Sequence, residues 1–192
     1  MPEITEIEIK LKVDDLTAAR KKLTAEGAKP QGSRVFEDNR VFDFADRRLK
    51  SAGTVLRLRW AAGHSILTVK QKLKGPQGPY KVRREMETEV EDGETTRSIL
   101  KALGLTTVYR YQKYRTHLRH GRLCVSLDET PLGVYMELEG PREEIDSLAA
   151  RLGYSLSDYI NLSYRGLHQE IGRAQGKDEE PTEMIFPEPH RS

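Results

Sequence analysis

The chain has 192 residues, 36% of them hydrophobic and 32% charged, with 32 Lys and Arg against 30 Asp and Glu. This length favours one domain with its own core, and the near-neutral balance gives no bulk attraction to nucleic acid. The single cysteine, Cys124, excludes an intramolecular disulfide and favours a reducing compartment. With no signal peptide and no apolar run of membrane-spanning length, we expect a soluble cytoplasmic protein.

Strands and helices are predicted in alternation along the chain. Charge and hydrophobe alternate strictly over residues 6–13, which predicts the first strand. Capping residues, apolar stripes and terminal glycines predict four helices: 16–26, 94–103, 141–153 and a fourth from about 157 to 167. Alternation predicts seven further strands: 35–44, 54–60, 65–73, 82–90, 109–118, 122–127 and 134–139.

Two features suggest how these elements are organised. Residues 6–14 align without gaps onto residues 85–93, and each segment leads into a helix that ends at glycine. Two such units would give a pseudo-two-fold arrangement of antiparallel strands with helices outside. Residues 173–192, rich in acids and prolines, are predicted to form a disordered tail. The folded domain is then expected to span residues 1–172.

Charged side chains share one face of nearly every predicted strand. In the first strand Glu6, Glu8 and Lys10 lie opposite the apolar residues, because successive side chains point to opposite faces. An ordinary sheet with one solvated face explains any single strand. Acids, however, occur towards both ends of the chain and bases in its middle. This sorting favours an α+β barrel whose charged faces turn inward and whose helices cover the outside.

The residue types on these faces indicate what such a barrel could bind. Sites made only of carboxylate oxygens favour Mg²⁺ or Mn²⁺, and no His or Cys spacing indicates zinc. Rows of Arg and Lys suit phosphate oxygens. The glycine-rich phosphate loop and the dinucleotide fingerprint are both absent from the sequence. We therefore expect a polyphosphate held by bases, with metal at its reacting end.

The motif Glu6-x-Glu8-x-Lys10 resembles the signature of the CYTH superfamily, which includes class IV adenylate cyclases, thiamine triphosphatases and inorganic triphosphatases. The chain is most similar to the bacterial and archaeal members grouped with the class IV cyclases. Further matching segments follow in the family's order: Val41-Phe42-Asp43, Leu56-Arg57-Leu58-Arg59, Thr68-Val69-Lys70, Lys113-Tyr114-Arg115, Leu127-Asp128, Met136-Glu137-Leu138-Glu139 and Ser163-Tyr164.

This resemblance implies an eight-stranded antiparallel tunnel that binds a triphosphate and two Mg²⁺ or Mn²⁺ ions. The implied metal ligands are Glu6, Glu8, Asp128, Glu137 and Glu139. The implied triphosphate contacts are Lys10, Arg57, Arg59, Lys70 and Arg115, with Lys72 and Lys113 as additions. Glu87 is implied to orient these bases. Glu6 and Lys10 are the implied catalytic residues, Glu6 by helping a metal-held water to attack phosphorus.

Three functions remain open at this point. A triphosphatase that hydrolyses a terminal phosphoanhydride is favoured over a class IV adenylate cyclase, which would convert ATP to cyclic AMP and pyrophosphate. A non-catalytic module that binds polyphosphate or nucleotides comes third. The expected partner is a small triphosphate such as ATP, tripolyphosphate or thiamine triphosphate, not nucleic acid or a membrane. A homodimer is compatible with so small an enzyme.

Overall fold

A computed structural model describes residues 4–76 and 78–187. In this part of the chain ten strands form one sheet: β1 (Ile4–Val13), β2 (Lys29–Pro30), β3 (Val35–Asp43), β4 (Thr54–Ala61), β5 (His64–Lys72), β6 (Lys81–Val90), β7 (Thr106–His120), β8 (Leu123–Thr130), β9 (Gly133–Glu139) and β10 (Glu183–Met184). Eight of them close a barrel in the order β3-β4-β5-β6-β1-β9-β8-β7, with β7 paired to β3. Every pairing in this ring is antiparallel, which confirms the predicted fold.

Four helices of the described segments pack around the outside of the barrel: α1 (Leu16–Ala25), α2 (Arg48–Ser51), α3 (Gly93–Ala102) and α4 (Arg142–Arg151). A fifth helix, α5 (Tyr164–Ala174), borders the cavity with its first turn. The predicted fourth helix is split into a 3-10 turn, Leu156–Asp158, and α5. The chain between them is extended because Ile160 exchanges two backbone hydrogen bonds with Lys10 of β1. None of the helices among the described residues has the length and apolar character that a membrane crossing needs.

The hydrophobic core lies outside the barrel, between the sheet and the helices. Ile9 and Val125 of the sheet pack in one buried cluster with Leu23 of α1 and Leu148 of α4. A second cluster, which includes Leu100 of α3, covers the opposite side. Because side chains alternate along each strand, burying the apolar face outside turns the charged face towards the barrel axis.

The order of the strands agrees with an internal repeat, as suggested by the alignment of residues 6–14 with residues 85–93. Exchanging β1, β3, β4 and β5 with β6, β7, β8 and β9 reproduces every pairing of the ring. A helix follows the first strand of each half, capped by Asp15 or Asp92. Asp15 and Asp92 are separated by two residues fewer than the aligned segments 6–14 and 85–93 are. A shift of two residues keeps the same strand face towards the barrel axis.

The C-terminal segment differs from the prediction of a disordered tail. α5 continues to Ala174, and β10 pairs in parallel with Arg110 and Tyr111 of β7. Met184 is only 2% exposed and packs in a cluster with Tyr109, Tyr111 and Tyr164. A short apolar stretch, residues 184–186, anchors the segment, although its average composition is that of a solvated tail. Residues 188–192 of the predicted tail lie outside the described residues.

Candidate active site

A cavity of about 930 Å³ opens inside the barrel. Every site residue predicted from the sequence lines it except Asp128. Lys72 lies at the rim and is exposed. The other residues project from strand positions whose neighbours point outward into the core, which is the alternation that predicted them.

Lys10 is buried at the centre of an ion-pair network. Its Nζ lies 2.9 Å from Glu8 Oε1 and 3.0 Å from Glu137 Oε1. Burial alone would lower the pKa of Lys10, but the carboxylates of Glu137 and Glu8 outweigh burial and raise it. Lys10 is therefore a fixed cation, 5.2 Å from the centre of the Tyr164 ring.

An acidic wall is formed by Glu6 and Glu8 of β1 with Glu137 and Glu139 of β9. Burial, followed by repulsion from Glu8, raises the pKa of Glu6, and burial with repulsion from Glu6 raises that of Glu139 to about 7. Glu8 behaves differently, because the cations of Lys10 and Lys81 overcome its burial and lower its pKa. The wall thus combines acids that are already neutralised by lysine with acids that still repel one another.

The acidic wall offers suitable atoms for a hard divalent cation. Glu6 Oε1 accepts from Lys70 Nζ at 2.6 Å, whereas the buried Glu6 Oε2 has no hydrogen-bond partner in the described part of the chain. Carboxylate oxygens held in mutual repulsion fit Mg²⁺ or Mn²⁺ by their chemistry. In residues 4–76 and 78–187, however, no three Asp, Glu, His or Cys side chains converge in a metal-binding cluster.

Asp128 has surroundings different from those expected of a metal ligand. It is fully buried and lies behind the cavity wall. Its carboxylate accepts from Arg115 Nε at 2.6 Å, from Lys113 Nζ at 2.9 Å and from the Tyr164 hydroxyl at 2.6 Å. Oδ1 accepts from Arg115, and Oδ2 accepts from Lys113, Arg115 and Tyr164, so the contacts of Asp128 are those of an acid that orients Arg115 and Lys113.

Arg57 and Arg59 of β4 form a basic wall. Glu87, the predicted orienting acid, lies 3.6 Å from Arg57 Nη2 and 3.5 Å from Arg59 Nη2, and it accepts from Thr68 Oγ1 at 3.0 Å. Around the eight-stranded ring β4 stands four strands from β9, so the basic wall faces the acidic wall across the barrel.

The basic wall has hydrogen-bonding capacity that the protein does not use. The Nε atoms of Arg57 and Arg59 are both buried and have no acceptor among the described residues. Burial, followed by repulsion from Arg57, lowers the pKa of Arg59. Buried donors without acceptors are costly. The Nη atoms are also weakly held, since the contacts of Arg57 and Arg59 with Glu37 and Glu87 are 3.5 to 3.6 Å long. Both arginines line the cavity, so an anion inside the barrel would give these Nη groups stronger acceptors.

Glu37 of β3 is a site residue that the sequence analysis missed. Its carboxylate lies 3.6 Å from both Arg59 Nη1 and Lys113 Nζ. Burial would raise the pKa of Glu37, but the cations of Lys113, Arg115 and Arg59 outweigh it and lower the pKa to about 2. The alternation of side chains along the strand could have identified Glu37, because it lies between the exposed Phe36 and the half-buried Asp38.

Some residues that line the cavity were also missed as site residues. Lys81 forms an ion pair with Glu8, and Glu85 lies 3.2 Å from Lys70. The Tyr111 hydroxyl accepts from Arg57 Nη1 at 3.4 Å. Lys81 is the residue paired with Glu8 in the register of β1 and β6, but such a cross-strand neighbour cannot be identified before the register is known.

Comparisons with known proteins agree with this architecture. A model of the CYTH domain family matches residues 5–161. The putative adenylate cyclase of Methanocaldococcus jannaschii is 31% identical over 178 residues, which cover 84% of this chain and 99% of that protein. A solved structure from Vibrio parahaemolyticus, also described as a putative adenylate cyclase, has a TM-score of 0.76 at 22% identity and covers 88% of this chain and 99% of its own.

A third relative is described by a different activity. It is a Hippeastrum protein reported as a putative adenylyl cyclase with a dominant triphosphatase activity. Its structure has a TM-score of 0.58 at 19% identity and covers 90% of this chain and 96% of its own. Below 25% identity the two solved structures show a shared fold, whereas the family model matches most of the chain. The chain therefore belongs to the CYTH domain family.

Proposed function

We propose that this protein is a Mg²⁺- or Mn²⁺-dependent triphosphatase that hydrolyses a terminal phosphoanhydride inside the barrel. The observation that carries the proposal is the pair of guanidinium groups on Arg57 and Arg59, which make only long ion pairs of 3.5 to 3.6 Å within the described residues and face an acidic wall across the cavity. A polyphosphate supplies acceptors for such donors at one wall. It also carries charge that a cation held at the other wall can neutralise.

Each group of residues has a definite task in this proposal. Arg57 and Arg59, oriented by Glu87, bind the phosphates that do not react, and Arg115 and Lys113 are held in position by Asp128. Lys10 stays protonated and stabilises the negative charge that develops during attack.

The acidic wall supplies the metal ligands and the general base. Glu6 and Glu139, with Glu8 beside them, would hold a divalent cation, which lowers the pKa of water and neutralises phosphate oxygens. Glu6 accepts the proton of the attacking water. Its raised pKa and its unpaired Oε2 support this role, because a general base works best when its pKa approaches the working pH.

A class IV adenylate cyclase is the second candidate. The relative from Methanocaldococcus jannaschii carries that name. The cavity also has an apolar part, lined by Val41, Val55 and Leu162, which suits an organic group attached to the triphosphate. A cyclase would use the same charged residues and would direct the ribose 3′-hydroxyl, instead of water, at the α-phosphorus. A non-catalytic binding module is less well supported, since it has no need of the acidic wall.

Product analysis separates these functions. The purified protein would be incubated with Mg²⁺ or Mn²⁺ and, separately, with ATP, tripolyphosphate and thiamine triphosphate. Orthophosphate without cyclic AMP is the expected result. Cyclic AMP with pyrophosphate would establish the cyclase instead, and binding of tripolyphosphate without any product would leave the binding module.

A further inference from the structure

The C-terminal segment places an acid at the rim of the cavity. Lys50 of α2 and Arg165 of α5 both line the cavity. Between them lies Glu180, which accepts from Lys50 Nζ through Oε1 and from Arg165 Nη2 through Oε2 at 2.8 Å. Lys50 is 53% exposed and Glu180 38% exposed as side chains, so this contact is open to solvent.

Glu180 is held in this position by anchors on the segment that follows it. Thr182 accepts a backbone hydrogen bond from Arg110 of β7 at 2.9 Å, and Met184 of β10 is buried against the tyrosines of the barrel. Phe186 donates its backbone N–H to Gln112 at 3.2 Å and packs on Tyr114. The segment is therefore fixed independently of the contact that Glu180 makes.

Lys50 and Arg165 resemble an anion site whose occupant belongs to the chain itself. A carboxylate and a phosphate group both accept from the Arg guanidinium and from a lysine ammonium. The hydrogen bond from Lys50, together with Arg165, lowers the pKa of Glu180, so the side chain is an anion at neutral pH. The ion pairs of Glu180 are partly exposed and therefore weak, so an anion of higher charge can displace the Glu180 carboxylate.

We propose that Lys50 and Arg165 form a phosphate-binding subsite at the rim of the cavity, and that Glu180 is its built-in competitor. The subsite receives a phosphate group of an incoming polyphosphate, whose other phosphates occupy the basic wall. The inference rests on the proposed function, because it requires a polyphosphate in the barrel. In addition, the C-terminal segment sets the affinity of the cavity for polyphosphate through Glu180.

Calorimetric binding of inorganic tripolyphosphate tests the proposal without turnover. Titrations in EDTA, and again with Ca²⁺, would compare the wild type with Glu180→Gln, Lys50→Gln and the double variant. Glu180→Gln should tighten binding roughly 3- to 10-fold, and Lys50→Gln should weaken it by a similar factor. In the double variant the gain from Glu180→Gln should shrink or vanish, because the competitor and its main partner are both gone.

Glu179→Gln is the matched control, since Glu179 is an exposed neighbour with the same charge. If Glu179→Gln tightens binding as much as Glu180→Gln, the effect is one of net charge and the proposal is overturned. Unchanged affinity in Glu180→Gln overturns it equally. Arg165→Gln replaces Lys50→Gln if the latter lowers the melting temperature. Failure of the wild type to bind tripolyphosphate under either condition would refute the proposed function and the subsite with it.

Discussion

Replacing Asp128 by Asn tests whether this acid orients the bases or binds metal. The variant removes the charge from a fully buried carboxylate that contacts Arg115, Lys113 and Tyr164. Leaving buried cations without their counter-ion costs about 3–5 kcal/mol. Arg115 keeps Glu137 and Lys113 keeps Glu37, so the loss should lie towards the lower end of that range. We expect Asp128→Asn to fold with a stability reduced by about 3 kcal/mol.

Two assays then separate the roles of Asp128. Urea unfolding gives the loss of stability. Initial rates at varied tripolyphosphate give its KM, and initial rates at varied Mg²⁺ give the activation constant for Mg²⁺. An orienting acid predicts a higher KM for tripolyphosphate and an unchanged activation constant for Mg²⁺. Glu139→Gln is the opposite control: it removes an acid that Glu6 repels, so stability should not fall while Mg²⁺ activation weakens. A weaker Mg²⁺ activation in Asp128→Asn, with stability intact, would refute the reasoning.

Three further predictions concern Glu37, Arg57 and Glu6. Glu37, with its pKa lowered to about 2 from the usual 4.5, should stabilise the fold by about 3 kcal/mol above pH 4.5 and lose this contribution as the pH falls to 2. Urea unfolding should show Glu37→Gln less stable at pH 7 and equal to the wild type near pH 2; a constant difference would contradict this. Arg57→Gln should raise KM for tripolyphosphate about 10- to 100-fold, and more than for diphosphate; equal effects would exclude contact with a non-reacting phosphate. Glu6→Gln should lower kcat about 10²- to 10⁴-fold with the fold retained by circular dichroism, and wild-type turnover would remove Glu6 as the base.

Strand parity was enough to predict most of the cavity. Wherever one face of a strand is apolar, its burial fixes the direction of the other face, and this rule placed Glu6, Arg57 and Glu137 correctly. The rule does not say how far a side chain reaches or what it meets. Asp128 has the right parity, yet its neighbours on β7 and α5 close over it. Such contacts depend on the pairing register of the strands and on the position of α5, and the alternation of side chains predicts neither.

Irregular features account for the remaining differences. Next to a register shift between β3 and β7, Asp43 ends β3 at the edge of the cavity. Asp43 accepts backbone hydrogen bonds from Leu49 and Lys50 at 3.0 Å, and so stabilises the short helix α2 that the sequence did not predict. The order of the C-terminal segment depends on residues 184–186, a short apolar stretch in an acidic context, of which Met184 is buried and Phe186 packs on Tyr114. Both features result from a few residues whose contacts differ from those that the average composition of their surroundings indicates.

The charged interior explains why the same lysines can serve both the free and the bound protein. In the free barrel Lys70 neutralises Glu6 and Lys81 neutralises Glu8, so the acids proposed to hold metal already have internal counter-ions. A divalent cation at the acidic wall would take over that neutralisation and release two ammonium groups into the cavity. Lys70 would keep Glu85 as a counter-ion, but Lys81 would lose its ion pair with Glu8, and a phosphate chain would neutralise the excess positive charge. Metal and triphosphate should therefore bind cooperatively. The metal neutralises the carboxylates and so frees the lysines for phosphate, while the phosphates pair with the lysines and so free the carboxylates for the metal.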